Sequence, residues 1–212
     1  HYIIKRGDVW ELATPKNIAS FDYQDYDAEG LFFLTNFEAP NYRLVKILYT
    51  GEVIEIIPET DLALKSISIL DDFIITNSIN TDMNSMVEFY SKGGELLDFK
   101  IPDDIEGTLS SFSMYKDKLR FSVSNFINPT QYIDLDLNTL DYTIVWQDKV
   151  SNFNPANYEK TFTYYESKDG TMVPLTYFHR KDLEINSETP IFLYGYGGYN
   201  ICLLYTSPSP RD

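Results

Sequence analysis

Short runs of β-forming residues separated by polar turns make up the chain through residue 148, and almost no stretch has apolar residues at helical spacing. The clearest runs are residues 30–35, 44–49, 73–76, 86–90 and 119–123. Residues 50–51 (Thr-Gly), 92–94 (Lys-Gly-Gly) and 138–139 (Asn-Thr) each join two runs, as tight hairpins with Gly or Asn at positive φ require. The pattern therefore predicts a mainly β fold built from antiparallel hairpins.

A four-residue pattern recurs within these runs. Phe-Leu-Thr-Asn ends at Asn36, Ile-Ile-Thr-Asn ends at Asn77 and the looser Ser-Val-Ser-Asn ends at Asn125, so the asparagines stand 41 and 48 residues apart. A four-stranded blade of a β-propeller has a period of about 40 to 50 residues. We therefore predict about three blades, with residues 1–12 as the remnant of a further blade before them. An ordinary β-sandwich is the alternative that the runs alone leave open.

The sequence changes character near residue 150. Residues 151–157 form a polar connector containing Asn and Pro, of the sort that joins domains. Two further strand-like runs, residues 161–166 and 173–178, are linked through an Asp-Gly pair that marks a hairpin turn. The apolar residues 190–194 predict a buried strand, and the Gly-rich residues 195–199 predict a loop where the backbone approaches another group closely.

The charge of the chain argues against several partners. The 32 acidic and 17 basic residues give a formal net charge of −15, which repels phosphate backbones and anionic lipid headgroups, and no basic patch offsets it. We therefore expect neither nucleic acid nor a membrane as a partner, and no apolar run of about 18 residues is present to span a bilayer. The single cysteine, Cys202, excludes an internal disulfide framework and a thiolate metal cluster, which fits a reducing compartment.

The common catalytic signatures are absent from the sequence. It contains no Gly-x-Ser-x-Gly nucleophile elbow, no phosphate-binding loop and no His-Glu-x-x-His pair. His179 is the one serious histidine candidate, and we predict a surface position at a strand end without a catalytic role. The pairs at 71–72 and 103–104 (Asp-Asp) are predicted in turns or on the surface, because adjacent residues of an extended chain point to opposite faces.

Three separated stretches carry a family resemblance: residues 34–44 (Leu-Thr-Asn-Phe-Glu-Ala-Pro-Asn-Tyr-Arg-Leu), 165–174 (Tyr-Glu-Ser-Lys-Asp-Gly-Thr-Met-Val-Pro) and 193–200 (Leu-Tyr-Gly-Tyr-Gly-Gly-Tyr-Asn). A softer fourth stretch is residues 124–129. In order and spacing they resemble the prolyl oligopeptidase family of serine peptidases. The resemblance implies about three to four blades of a seven-bladed β-propeller over residues 1–150, followed by the first strands of an α/β-hydrolase domain over residues 151–201.

The same resemblance implies an activity and two site residues. Members of this family are cytosolic endopeptidases that cleave short peptides after proline, without a cofactor or metal, and the parent is expected to be a monomer; a periplasmic location is the alternative. Tyr196 matches the tyrosine whose hydroxyl stabilises the tetrahedral oxyanion. Tyr199 matches an aromatic residue, usually Phe, that lines the substrate pocket.

The chain departs from the family pattern after residue 201. No residues match the catalytic serine, aspartate and histidine, so we expect a fragment of such an enzyme that is inactive by itself. Residues 202–212 resemble translated vector sequence, and we expect them to be non-native. The alternative function is a non-enzymatic β-propeller that serves as a protein-interaction module.

Overall fold

The structure is a computed structural model that describes residues 3–6, 9–14, 18–80 and 84–194, with side chains from residue 11 onward. The described residues form strands and one short 3₁₀ turn at Pro155–Asn157. The strands are β1 (Ile3–Arg6), β2 (Val9–Leu12), β3 (Phe21–Tyr26), β4 (Gly30–Thr35), β5 (Arg43–Leu48), β6 (Val53–Ile57), β7 (Leu64–Ile69), β8 (Ile74–Ile79), β9 (Ser85–Tyr90), β10 (Thr108–Tyr115), β11 (Lys118–Ser124), β12 (Gln131–Leu135), β13 (Tyr142–Gln147), β14 (Tyr158–Glu166) and β15 (Met172–Arg180). The predicted mainly β fold is confirmed.

Three sheets, each an antiparallel meander, make up most of the molecule. The first meander is β3–β6, the second is β7–β9 with a single further bridge between Tyr90 and Leu96, and the third is β10–β13. Neighbours along the sequence pair in every case, as short turns dictate. The first strands of the three meanders approach one another, β3 against β7 and β7 against β10, as the inner strands of propeller blades do.

The turns largely follow the sequence prediction. Gly51 and Gly94 take the positive φ values of 99° and 89° that their turns require. The turn between β12 and β13 differs, because the residue at positive φ is Leu140 (61°) rather than Asn138. Asp136 explains the difference, since its Oδ1 accepts hydrogen bonds from the backbone N–H groups of Asn138 and Thr139 and so fixes the start of the turn.

The repeated tetrads fall on the second strand of each meander, β4, β8 and β11. Asn36 and Asn125 follow the ends of their strands and their side-chain oxygens accept backbone N–H groups, from Ser20 at 2.7 Å and from Asn128 at 2.7 Å. Asn77 instead lies inside β8, is buried, and donates its Nδ2 to the carbonyl of Leu109 in the next meander at 2.7 Å. The repeat is therefore structural, with one member that ties two sheets together.

Two apolar seams hold the meanders to one another. Successive strand residues point to opposite faces, so Ile74 packs with Phe32 and Leu44 towards the first meander while Ile75 packs with Phe121 towards the third. The second seam is rich in aromatic rings with edge-to-face or tilted contacts. The consecutive apolar residues of β8 thus mark a strand that is buried on both faces.

The chain beyond the third meander is packed much less closely. β14 and β15 form a separate two-stranded hairpin, and the predicted Asp-Gly turn is confirmed by Gly170 at φ 83°. Residues 190–194 form no strand, and Ile191 and Phe192 are each 84% exposed, so the prediction of a buried strand is wrong for this structure. The reason is physical: a strand gains hydrogen bonds and burial only from neighbours, and none of the described strands flanks this segment.

Within the described residues, no helix combines the length and the apolar character needed to cross a bilayer.

Candidate functional site

The two site residues singled out from the sequence, Tyr196 and Tyr199, lie outside the described residues, as does the Gly-rich loop that contains them. The described chain ends at Tyr194, whose side chain is about half exposed. Neither a contact nor a distance therefore bears on these two assignments, and both stay predictions.

His179 lies at the end of β15, where the sequence predicted it, but its side chain is only 14% exposed. Its Nδ1 lies 3.0 Å from the carbonyl oxygen of Arg180 and its Nε2 lies 3.1 Å from Oε1 of Glu159 on the paired strand. The ring also stacks on Tyr177. Both ring nitrogens therefore face oxygen acceptors, and in the described part of the chain neither faces a serine hydroxyl that it could activate.

The two Asp-Asp pairs do not form carboxylate dyads. Asp71 and Asp72 are exposed in the turn between β7 and β8. Asp103 is exposed, whereas Asp104 accepts a hydrogen bond from the hydroxyl of Tyr142 at 2.8 Å. That hydrogen bond raises the pKa of Tyr142, so the phenol stays protonated and remains the donor.

The end of the third meander meets the following hairpin at one loop. Asn125 begins this loop by accepting the N–H groups of Ile127 and Asn128, which curls the chain back towards β12. Phe126, at the tip of the loop, packs on Phe178 of β15 with ring centroids 4.7 Å apart. The loop is thus one place where the third meander contacts the hairpin.

A cleft with a volume of about 210 Å³ lies beside this loop, at the end of the third meander. Eleven residues line it: Asp104, Ile105, Glu106, Val123, Ser124, Asn125, Asn128, Gln131, Ile133, Tyr142 and Ile144. They come from the segment before β10, from the loop between β11 and β12, and from the strands themselves. We call this space the loop cleft.

The loop cleft combines an apolar surface with polar groups that are either acidic or uncharged. Val123, Ile133 and Ile144 supply aliphatic surface, whereas Asp104 and Glu106 supply the only charges, and no Lys, Arg or His lines the cleft. Its lining residues supply carboxylates, side-chain amides, hydroxyls and aliphatic surface, which are groups that can bind a ligand. Sequence reasoning assigned none of Glu106, Asn128 and Gln131 to a site, because they come from segments that are distant in sequence and only the fold brings them together.

Two sets of ion pairs that each include a buried side chain lie within the meanders, outside the residues that line the cleft. Lys46 is buried beside Asp27 and Glu29, at 2.7 Å and 2.6 Å; burial opposes its charge, but the two carboxylates raise the pKa of the lysine overall. Asp134 pairs with Arg120 through two hydrogen bonds of 2.6 and 2.7 Å, which lower the pKa of that carboxyl. The Lys46 pairs join β5 to the turn between β3 and β4, and the Arg120–Asp134 pair joins β11 to β12, so both sets stabilise the fold.

No group of three or more His, Cys, Asp or Glu side chains converges as a metal site among the residues that the structure describes.

Comparison with known proteins gives consistent matches. The family model for the prolyl oligopeptidase N-terminal β-propeller domain matches residues 4–148. Prolyl endopeptidase from Elizabethkingia meningoseptica is 32% identical over 186 residues, which cover 84% of this chain and 26% of the relative. Prolyl endopeptidase from Dictyostelium discoideum is 30% identical over 185 residues, covering 80% of this chain and 24% of the relative.

Solved structures agree with the sequence matches. Prolyl oligopeptidase B from Galerina marginata, bound to a 35-residue hydrolysis and macrocyclisation substrate, superposes with a TM-score of 0.72 at 24% identity over 85% of this chain and 26% of that one. At this level of identity the likeness concerns the fold alone. The chain spans about a quarter of the length of the relatives that it matches.

Proposed function

Because the chain belongs to the prolyl oligopeptidase family through its N-terminal β-propeller domain, we propose that it is part of a serine peptidase that cleaves short peptides after proline. One observation carries the proposal: a propeller-domain match over residues 4–148 coincides with relatives named prolyl endopeptidase at 30–32% identity. The solved structure with a TM-score of 0.72 supports the same fold.

The proposed domain assignment follows the packing of the sheets. We assign residues 1–150 to about three to four blades of a seven-bladed propeller and residues 151–201 to the first strands of an α/β-hydrolase domain. The approach of β3, β7 and β10 supports the first assignment, since inner strands of neighbouring blades meet at the propeller axis. The end of the family match at residue 148 and the separate hairpin of β14 and β15 support the second.

The proposed chemistry is acyl transfer. A serine attacks the carbonyl carbon of the proline, a histidine takes the serine proton and gives it to the leaving amine, and an aspartate orients the histidine; water then releases the acyl group from the serine. Tyr196 donates its hydroxyl to the developing oxyanion and Tyr199 lines the proline pocket, while the propeller admits only short peptides. In this proposal no metal or cofactor takes part, and the enzyme is a cytosolic monomer.

We expect the 212 residues alone to have no peptidase activity. Their two histidines are His1 and His179, and His179 lies against Glu159 and a backbone carbonyl. The purified chain is assayed with a Gly-Pro chromogenic peptide, and the expected result is no turnover. Hydrolysis that a serine-directed phosphonate blocks would contradict the proposal.

A chimera tests the proposed role directly. Residues 4–201 of this chain replace the aligned segment of the Elizabethkingia meningoseptica prolyl endopeptidase, and the chimera is compared with the parent on a short Gly-Pro peptide and on unfolded casein. We expect cleavage of the peptide and no cleavage of casein. A Tyr196→Phe variant of the chimera should lose about 10²–10³-fold in kcat, the typical cost of one oxyanion donor.

Two outcomes would contradict the assignment. A folded chimera that cleaves casein as fast as the peptide would show that the propeller segment does not restrict substrates to short peptides. A Tyr196→Phe chimera with unchanged kcat would remove the oxyanion role from Tyr196. No observation specifically favours the alternative of a non-enzymatic interaction module. The same chimera assays test that alternative.

A further inference from the structure

We propose that the loop cleft binds one basic side chain, the guanidinium or ammonium group of an Arg or Lys residue in a peptide. The proposal concerns a binding site on the propeller segment and goes beyond the peptidase activity. It depends on four features of the cleft: its charge, its apolar surface, its volume and the bonds that hold its walls.

The charge of the cleft selects a cation. Asp104 and Glu106 give it two carboxylates, and no lining residue is basic. The Glu106 carboxylate forms no hydrogen bond or ion pair with the described residues, so it is available to a ligand. Asn128 and Gln131 also line the cleft, and their side-chain amides form no hydrogen bond with the described residues, so their oxygens are further acceptors for N–H donors.

The apolar surface and the volume select a side chain rather than a larger molecule. Val123, Ile133 and Ile144 provide an aliphatic surface along which the methylene groups of Arg or Lys can lie while the charged end reaches the carboxylates. Pockets for drug-sized ligands begin at about 300 Å³. The cleft, at about 210 Å³, is smaller than that and fits a single long side chain.

The walls are held in place before any ligand arrives. The hydroxyl of Tyr142 donates to Asp104 at 2.8 Å, and Nδ2 of Asn125 donates to the backbone carbonyl of Glu106 at 3.3 Å. Gly107 follows at φ 138°, where a Cβ would lie 2.5 Å from the carbonyl oxygen of Ser124, so the two walls approach closely at this point. A cleft formed in advance loses little entropy on binding, which favours recognition of even a small group.

The binding test uses the whole 212-residue chain and two small probes. N-acetyl-arginine amide carries the charge, and N-acetyl-citrulline amide has nearly the same shape without it. We expect ¹H–¹⁵N shift changes at residues 104–107 and 124–131 with the arginine probe, and a dissociation constant in the millimolar range. The citrulline probe should bind more weakly, because its ureido group still donates hydrogen bonds but carries no positive charge for the carboxylates to attract.

Matched variants separate the cleft from the general acidity of the chain. Glu106→Gln and Asp103→Asn each remove one negative charge from the segment before β10, but only Glu106 lines the cleft. Glu106→Gln should weaken arginine binding about two- to fivefold, and Asp103→Asn should change it by less than about 1.5-fold. Asn128→Asp adds a carboxylate to the exposed wall and should tighten binding about two- to fivefold.

Three results would overturn the proposal. Equal weakening by Glu106→Gln and Asp103→Asn would assign the binding to the net charge of −15 rather than to the cleft. Equal binding of the arginine and citrulline probes would show that no cation is recognised. Unchanged binding in a folded Asn128→Asp variant, checked by its ¹H–¹⁵N spectrum, would place the ligand elsewhere.

Discussion

Phe121 and Phe192 lie in similarly apolar runs of the sequence, yet Phe121 is buried and Phe192 is exposed. Phe121 in β11 has no exposed surface and packs in the seam between the second and third meanders. Phe192, in the segment after the hairpin, is 84% exposed. The difference lies in what surrounds each run: β11 has β10 and β12 beside it and another sheet against its face, whereas residues 190–194 have no strand beside them among the described residues.

This contrast separates the apolar character of a segment from its burial. In the meanders, each apolar strand gains stability from hydrogen-bonded neighbours and from the adjacent sheet. Near the described end of the chain, the same kind of residues stay in contact with water and contribute little to folding stability. The regions should therefore respond differently to identical substitutions, and paired variants measure that difference.

The largest difference is expected for Phe→Ala. Phe121→Ala removes a fully buried ring and should lower the free energy of unfolding by about 3–5 kcal/mol, the usual cost for a core phenylalanine. Phe192→Ala should change it by no more than about 0.5 kcal/mol, because the ring is already in water. Urea unfolding of both variants of the 212-residue chain, followed by circular dichroism, measures the difference, and equal losses would remove the contrast.

Glycine substitutions should give the next largest difference. Gly94 and Gly170 have nearly the same backbone conformation, with φ of 89° and 83°, so an alanine meets the same local strain of about 1–2 kcal/mol at either position. Only at Gly94 would the new Cβ collide with another strand, because it would lie 1.9 Å from the carbonyl oxygen of Ile56; at Gly170 the nearest atom is 3.9 Å away.

Gly94→Ala should therefore lower the free energy of unfolding by about 1–3 kcal/mol more than Gly170→Ala, since the first and second meanders must move apart. Thermal unfolding of the two variants provides the measurement. Gly93→Ala is the control within the same turn, because its Cβ would meet only the Ser91 side chain at 3.7 Å. Similar midpoints for Gly94→Ala and Gly170→Ala would mean that the seam is looser than the structure indicates.

The smallest difference is expected for two aspartates that each bind an arginine through two hydrogen bonds. Arg120 lowers the pKa of Asp134, and Arg180 lowers the pKa of Asp182. The side chain of Asp134 is 9% exposed and that of Asp182 is 66% exposed, so water screens only the second pair strongly. Asp134→Asn should cost on the order of 1 kcal/mol at neutral pH, and Asp182→Asn should cause no measurable loss.

The pH dependence follows from the direction of the shift. A carboxyl whose pKa is lowered by folding stabilises the folded state above its unfolded pKa of about 3.9, and that contribution disappears as the pH falls through the folded pKa. The stability advantage of the unmodified chain over Asp134→Asn should thus be full near pH 6 and shrink below about pH 4. Urea unfolding at pH 6 and at several values from about pH 4 down to about pH 3 checks this, and a constant advantage over that whole range would contradict the assigned pair.

Much of the fold could be predicted from the sequence because its signals are local. Apolar runs, the Gly51 and Gly94 turns and the spacing of Asn36, Asn77 and Asn125 predicted strands, hairpins and repeated sheets, and these are confirmed. The candidate site was much less predictable. Tyr196 and Tyr199 were assigned by resemblance and stay predictions. The residues that line the loop cleft come from several segments that share no common sequence pattern.

The sequence by itself determined where strands begin and turn, since alternation and turn residues act over a few positions. Only the tertiary structure decided that Ile74 and Ile75 serve two different seams, that Phe192 stays exposed, and that Glu106 and Asn128 face one cleft. The reason is that burial and proximity depend on which distant segments pack together, and the residues of one strand do not specify which neighbour will cover it.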